Sequence, residues 1–384
     1  MTDSLAHPLH PPLETVFARL QPHPDAAASG LRAFDAADHY LLDEVAERYP
    51  SLLRDPDARI AVIDDAHGAL VAGLAALGVR RASVHHDSRA AQYATEANLA
   101  RLGAHLAIDT RPLAEVAAGA RLVLLRLPRS LERLDAIARA VARVADPGAV
   151  VVAGNMVKHM TPRQNVVLGE AFGRVDVSRA RGKARLLTAT APRRAVAPAE
   201  PTAVRDDATG IDLVVVAGTF AGAAIDIGTR ALLGALDDLP DAGVALDLAC
   251  GSGVLAVALA RRLPGAHIIA SDVSAVAVES ARLTAAANGV GTVDVRHDDG
   301  AASLADGSVD LVLLNPPFHV GGAVATGIAH RLIGEAARVL RPGGELRCVW
   351  NSSLAYRPVL ERLVGPTRQL ARTTKFTVTA STRR

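Results

Sequence analysis

Val244 to Leu263 reads VALDLACGSGVLAVALARRL. Val244 to Ala249 is apolar apart from Asp247, the pattern of a strand buried on both faces. Gly251 and Gly253 then break the run, and an apolar helix, Val254 to Leu263, follows. Glycines at these two positions let the backbone turn tightly and approach a ligand. Strand, glycine loop and helix in this order open an α/β sheet that binds ligands at the carboxyl ends of its strands.

Working outward, the pattern continues on both sides. His267 to Ala270 is a second strand ending at Asp272, and a helix spans about Ala275 to Ala287. Val293 to Arg296 is a third strand ending near Asp298-Asp299, and Leu311 to Leu314 is a fourth. A helix from about Ala325 to Leu340 stops at the turn signal Arg341-Pro342-Gly343-Gly344. Glu345 to Trp350 is a fifth strand, and KFTVTA (Lys375 to Ala380) is strand-like. Upstream, strand and helix patterns also alternate from Arg59 to Ala153, and an Arg-rich segment, Val177 to Thr190, reads as a hairpin. Such alternation implies βαβ units and a mostly parallel sheet. The fold class expected is α/β, with two tandem Rossmann-like domains.

Residues 1–30 read as a flexible arm, with His7, His10 and His23 among prolines and no carboxylate or cysteine cluster to make a metal site. Residues 31–190 form the first domain, 191–208 a Pro- and Ala-rich linker, and 209–384 the second domain. The halves share their element order. Asp64-Asp65-Ala66-His67-Gly68 falls opposite Leu248 to Ser252, and LVLLRLP (Leu122 to Pro128) falls opposite LVLLNPP. The first copy lacks the paired glycines and has Arg126 and Leu127 in place of the second copy's motif. It reads as a domain kept for shape and binding, not for chemistry.

That motif is LVLLNPPFH, Leu311 to His319. A buried strand stops at Asn315, and two prolines hold their carbonyls in a fixed direction. The Asn315 oxygen and a proline carbonyl can accept both hydrogens of an exocyclic amine while Phe318 stacks on its ring. The nitrogen lone pair then faces an electrophile. This is catalysis by positioning and needs no strong base.

The glycine loop has two readings. Gly251-x-Gly253-x-x-Ala256, with Asp272 at the end of the next strand, satisfies the nicotinamide-dinucleotide fingerprint. S-adenosylmethionine fits better. Asp247 stands four residues before the first glycine, where it can accept from loop amides or from the methionine ammonium. Asn315 to Phe318 also follow on the fourth strand, where an amine-methylating site needs them. Asp272 suits the ribose hydroxyls and Asp299 the adenine amine. The two cysteines, Cys250 and Cys348, have no metal-site spacing, and a reduced, cytosolic protein is expected. The net charge of +2 and 3% aromatic content give no strong nucleic-acid footprint and argue against a base-stacking RNA-recognition sheet. No signal sequence or membrane-spanning run is legible.

Gly218-Thr219-Phe220, Asp226-Ile227-Gly228-Thr229, DLACGSG, NPPFH, Pro342-Gly343-Gly344, Trp350-Asn351 and Lys375-Phe376 together resemble the RsmC/RlmG family of ribosomal RNA (guanine-N2)-methyltransferases. The resemblance covers nearly the whole chain and is closer to the branch acting on 23S rRNA than to the 16S branch. It implies tandem class I methyltransferase domains, the N-terminal one degenerate, with S-adenosylmethionine as cofactor. Cofactor roles pass to Asp247, Ala249, Gly251, Gly253, Asp272, Asp299 and Asn315, and the target-base role to Asn315, Pro316, Pro317 and Phe318. Phe220, Asp226, Lys183, Arg185, His319 and Lys375 are candidate substrate or RNA contacts. The expected partner is ribosomal RNA or a ribosomal subunit. Where the family usually has Phe-Ser, this chain has Phe220-Ala221. The same Asn-Pro-Pro-aromatic arrangement serves adenine in DNA and the glutamine of release factors, and a cofactor-binding scaffold without activity is the non-enzymatic alternative.

Overall fold

The computed structural model describes residues 11–22, 32–317 and 322–384. His7, His10, His23, Phe318 and His319 lie outside the described residues. The chain divides into two compact units, Met1–Ala199 and Glu200–Arg384.

The first unit carries β1 (Ile60–Ile63), β2 (Arg81–His85), β3 (Ala107–Thr110), β4 (Leu122–Arg126), β5 (Val150–Met156), β6 (Phe172–Val177) and β7 (Ala184–Pro192), in the sheet order β3-β2-β1-β4-β5-β7-β6. The five strands from β3 to β5 run parallel, and β7 is antiparallel to both its neighbours. The second unit opens with an antiparallel pair, β8 (Thr202–Asp206) and β9 (Ile211–Val215). Its main sheet holds β10 (Val244–Leu248), β11 (His267–Asp272), β12 (Asp294–His297), β13 (Val309–Leu314), β14 (Leu340–Asn351), β15 (Thr367–Arg372) and β16 (Phe376–Thr382). The order, β12-β11-β10-β13-β14-β16-β15, repeats the first sheet strand for strand.

The unbroken apolar runs follow from this placement. Side chains alternate across a strand, and in β13 Leu311 and Leu313 enter one core while Val312 and Leu314 enter the other. In β1, Ile60 and Val62 are likewise separated from Ala61 and Ile63. With helices on both faces, no strand residue here can be polar without a buried partner. Serines at the helix starts Ser88, Ser130 and Ser274 accept from the amides three residues on, which satisfies donors the helices leave open.

Three expectations change. Residues 11–19 are not a loose arm: Pro11–Arg19 is a helix, and Leu13, Val16, Phe17 and Leu20 are buried in the first core. Its single apolar stripe is short and set among prolines, so it carries little periodicity. The 191–208 linker is partly strand, since β7 runs to Pro192 and β8 covers Thr202–Asp206. Most of β8 is exposed, which removes the apolar alternation that marks strands. Finally, Arg341 to Gly344 is no simple turn. It lies within β14, where the pairing to β13 slips between Val309 and Leu311.

The internal match also shifts by one residue. Gly68 and Gly253 are both left-handed caps of the helix that follows (φ 79° in each), and Asp64 and Ala249 share φ values of 59° and 60°. Asp64 therefore corresponds to Ala249, and the first copy keeps the second glycine while Ala66 stands for Gly251. Among the described residues no helix is long and apolar enough to cross a membrane.

Candidate active site

At the carboxyl ends of β10, β11 and β13 the second unit holds a cavity of about 220 Å³. Ala249, Gly251, Asp272 and Asn315 line it, together with Phe220 and Arg331. Parallel strands placed side by side bring Ala249, Asp272 and Asn315 together although they are far apart in the chain.

The loop from β10 to its helix is built from left-handed backbone at Ala249, Gly251 and Gly253. The two glycines serve different needs. A Cβ on Gly253 would lie 2.8 Å from both Cα and Cβ of Ala281, so this glycine lets the helices pack. A Cβ on Gly251 would meet nothing within 4 Å. That position is open, as a ligand cradle requires. The Gly251 amide donates to Asp272 Oδ2 at 2.9 Å, and the Ser274 amide donates to Oδ1 at 2.9 Å. The acid at the end of β11 is thus fixed against the loop, at the cavity wall.

Asp247 sits behind the loop and is fully buried. Its Oδ2 accepts from the Ala256 amide in the first turn of the helix at 2.9 Å, while Oδ1 has no partner. Burial pushes its carboxyl up to about 7, and the nearby Asp272 charge adds to the rise. Its contact is therefore with the helix start that shapes the loop. Asp299 is buried and takes Arg331 at 2.6 Å. Its carboxylate is engaged in an ion pair, and the cavity wall at this point is formed by Gly300 and Arg331.

Asn315 ends β13. Its Nδ2 donates to Asp226 Oδ2 and to Thr229 Oγ1, each at 2.9 Å. Its Oδ1 is buried and has no partner. Asp226 caps the helix Ile227–Leu233, accepting from the Gly228 amide at 2.7 Å and from the Thr229 hydroxyl at 2.5 Å. Asp226 was expected among the substrate contacts; here it grips the motif asparagine. Ahead of it, Thr219 ties the loop to Ser280 at 2.8 Å. Phe220 stands at the cavity mouth, 54% exposed. Pro316 and Pro317 line the cavity. Lys375 is exposed in the β15–β16 turn, next to the lining residue Phe376. Lys183 and Arg185 belong to the first unit, on the β6–β7 hairpin, where Lys183 has φ 66°.

The matching corner of the first unit is filled by its own side chains. Strand register puts Arg126 where β13 has Asn315. Arg126 makes a bidentate pair with Asp35, both bonds 2.9 Å, and reaches Asp38 at 3.1 Å. Asp35 caps its helix as Asp226 does. His86 stands where β11 ends at Asp272, and the neighbouring His85 takes the buried Arg133 at 3.2 Å. The first copy keeps the frame and has replaced the ligand groups.

Sequence reading missed Gly228, Thr229 and Arg331 as site residues. Thr229 and Gly228 stood inside a quoted motif, but their contact with Asn315 spans more than eighty residues. Arg331 had no signal in a chain where arginine is the common basic residue.

A cavity at a glycine loop, a carboxylate at the end of the second strand and an Asn-Pro-Pro corner on the fourth define a methyltransferase domain, here duplicated with the matching corner of one copy filled by its own ion pairs. Family models agree. The methyltransferase small domain matches residues 210–380, and the RLMG N-terminal domain matches residues 12–193. The chain is 39% identical over 361 residues to ribosomal RNA large subunit methyltransferase G of Pseudomonas entomophila, covering 92% of this chain and 94% of that protein. It is 40% identical over 374 residues to the Pseudomonas fluorescens protein of the same name, covering 95% and 98%. Among solved structures, the T. thermophilus 16S rRNA N2 methyltransferase RsmC, in complex with AdoMet and guanosine, superposes with a TM-score of 0.74. It is 25% identical and is matched over 96% of this chain and 99% of its own. The chain belongs to the ribosomal RNA large subunit methyltransferase G family.

Proposed function

We propose that the protein transfers a methyl group from S-adenosylmethionine to the exocyclic N2 amine of a guanine in large-subunit (23S) ribosomal RNA. One observation carries the reading: Asn315, a residue of the cavity lining, is held by its amide nitrogen, and its oxygen is buried and unpartnered. A buried acceptor without a donor costs about 1–3 kcal/mol, and an incoming amine relieves that cost.

The residues fit the cofactor. Ala249 and Gly251 form the cradle, Gly253 lets the helix behind it pack, Asp272 faces the ribose, and Asp247 supports the loop from behind. Asp299 acts through Arg331 on the adenine side. The cofactor supplies a methyl group on a positively charged sulfur, an electrophile that a neutral amine attacks directly. Asn315 Oδ1 and the Pro316 carbonyl accept the two amine hydrogens and hold the nitrogen lone pair at a fixed angle. Pro317 stiffens that corner, and the aromatic that follows it in the motif, Phe318, is the residue assigned to the base by its sequence position. No side chain needs to act as a strong base, because the methylated ammonium is acidic and loses its proton to water. Phe220 and Lys375 approach the RNA from the rim of the second unit's cavity, and Lys183 and Arg185 are the first unit's own candidate RNA contacts. That unit works as a binding and shaping domain.

Large-subunit rRNA is favoured by the higher identity to the large-subunit enzymes than to the 16S enzyme. The test is nucleoside mass spectrometry on separated 16S and 23S rRNA from a strain lacking the gene. Loss of one N2-methylguanosine from 23S, restored by wild type and not by Asn315→Ala, is the expected result. Loss from 16S reverses the choice of subunit, and unchanged rRNA removes the ribosomal reading.

A further inference from the structure

Asn315 could present either end of its carboxamide to the cavity, and the reaction needs only one of them. Two features decide which. Asp226 Oδ2, at 2.9 Å, is a carboxylate oxygen and can only accept. Thr229 Oγ1 spends its hydrogen on Asp226 at 2.5 Å, so toward Asn315 it too is an acceptor. Both neighbours therefore require the NH2 group, and the buried oxygen is the end left without a partner. The geometry also needs space: a Cβ on Gly228 would lie 3.0 Å from Asn315 Oδ1 and 3.3 Å from Nδ2. Asp226 is the cap of one helix and Gly228 and Thr229 lie on its first turn, and their contacts converge on one amide.

We infer that Asp226 and Thr229 are positioning residues of the methyl transfer, which fix the orientation of Asn315 and, with Gly228, its place, without touching the substrate. The carboxylate at the nitrogen end also polarises the amide, strengthening the oxygen as an acceptor when the amine nitrogen gains positive charge. The inference rests on the proposed role of Asn315. It replaces a substrate contact for Asp226 with an action through that residue.

A double-mutant cycle tests it. Wild type, Asp226→Asn, Asn315→Ala and the double variant are compared in single-turnover methyl transfer to large-subunit rRNA at saturating S-adenosylmethionine. Cofactor affinity is read by equilibrium dialysis, and folding by the fluorescence of Trp350, the one tryptophan of the chain. Asp226→Asn should slow transfer about 10–100-fold, the scale of a misplaced contact, with cofactor affinity within about twofold. In the Asn315→Ala background the same change should cost less than about threefold, because residues acting as one unit are not additive. Losses that multiply, a wild-type rate in Asp226→Asn, or affinity falling in step with rate each overturn the inference. A wild-type rate in Asn315→Ala instead overturns the role of Asn315 itself. Should Asp226→Asn fail to fold, Gly228→Ala carries the test. Alanine suits a helix better than glycine, so the fold should hold while transfer falls about tenfold through displacement of the amide. An unchanged rate there overturns the inference.

Discussion

Replacing Asp247 by Asn should stabilise the second unit, by an amount that grows as pH rises from about 4 to about 7. Asp247 is fully buried, accepts one amide hydrogen bond and leaves Oδ1 unpartnered. Its carboxyl rises from 3.8 to about 7 because burial disfavours the charge. A carboxyl whose folded value lies above its unfolded value gives stability that is kept in acid and lost as pH rises. Below the unfolded value both states are protonated and there is no penalty. Between the two values the unfolded chain ionises first, and each pH unit costs about 1.4 kcal/mol. Above about 7 the full penalty, about 4 kcal/mol, is present. Asn keeps an acceptor for the Ala256 amide and never ionises. Trp350 lies buried in the second unit, so its fluorescence follows that unit's unfolding in guanidinium. The difference between variant and wild type should be small near pH 4 and grow to about 4 kcal/mol at pH 8. Parallel stability curves across that range, or a variant less stable at pH 8, would refute the argument that Asp247 carries an uncompensated buried charge.

The remaining predictions concern the site and its twin. Asn315→Ala should lower methyl transfer by about two decades or more while leaving cofactor affinity nearly unchanged; titration calorimetry beside single-turnover rates separates the two. Gly253→Ala should destabilise the second unit far more than Gly251→Ala. The first places a Cβ 2.8 Å from the Ala281 backbone, the second only in a left-handed conformation, costing about 1–2 kcal/mol; Trp350 unfolding curves give the ranking. Arg126→Ala should destabilise the first unit by about 3 kcal/mol, since it strands buried Asp38 and half-buried Asp35. The loss should be larger at pH 8 than at pH 5, where Asp38, pushed up to about 7, is mostly protonated. Hydrogen exchange of the β4 and β5 amides measures it.

The central strands were legible because burial on both faces leaves an unbroken apolar run, as in LVLL at Leu311 to Leu314 and again at Leu122 to Leu125. The glycine loop and Asn315-Pro316-Pro317 were legible because the chemistry demands particular residues within a short window. What escaped depended on distance. The pairing of Asn315 with Asp226 joins residues 89 apart in the chain, and neither residue alone announces the other. Asp226 caps its helix through Gly228 and Thr229, and that local role is silent about its bond to Asn315. The one-residue slip in the internal match arose from reading Asp64 as strand. Its positive φ, shared with Ala249, cannot be seen in an aspartate. The Pro11–Arg19 helix was missed because its helical signal is a few residues long, and burial against the first core supplies what propensity does not.

The unpartnered oxygen of Asn315 has a consequence for selectivity. Folding has already stripped it of water, so an arriving amine displaces no solvent there and gains the whole hydrogen bond. A purine that carries a carbonyl or a hydrogen in place of that amine would leave the acceptor empty, or set it against a second acceptor. Sites built around a dehydrated polar group reject such analogues more strongly than apolar pockets reject a missing methyl. On the role proposed for Asn315, the site reads its target first as a hydrogen-bond donor and only then as a nucleophile, and a base already methylated once offers it one hydrogen fewer.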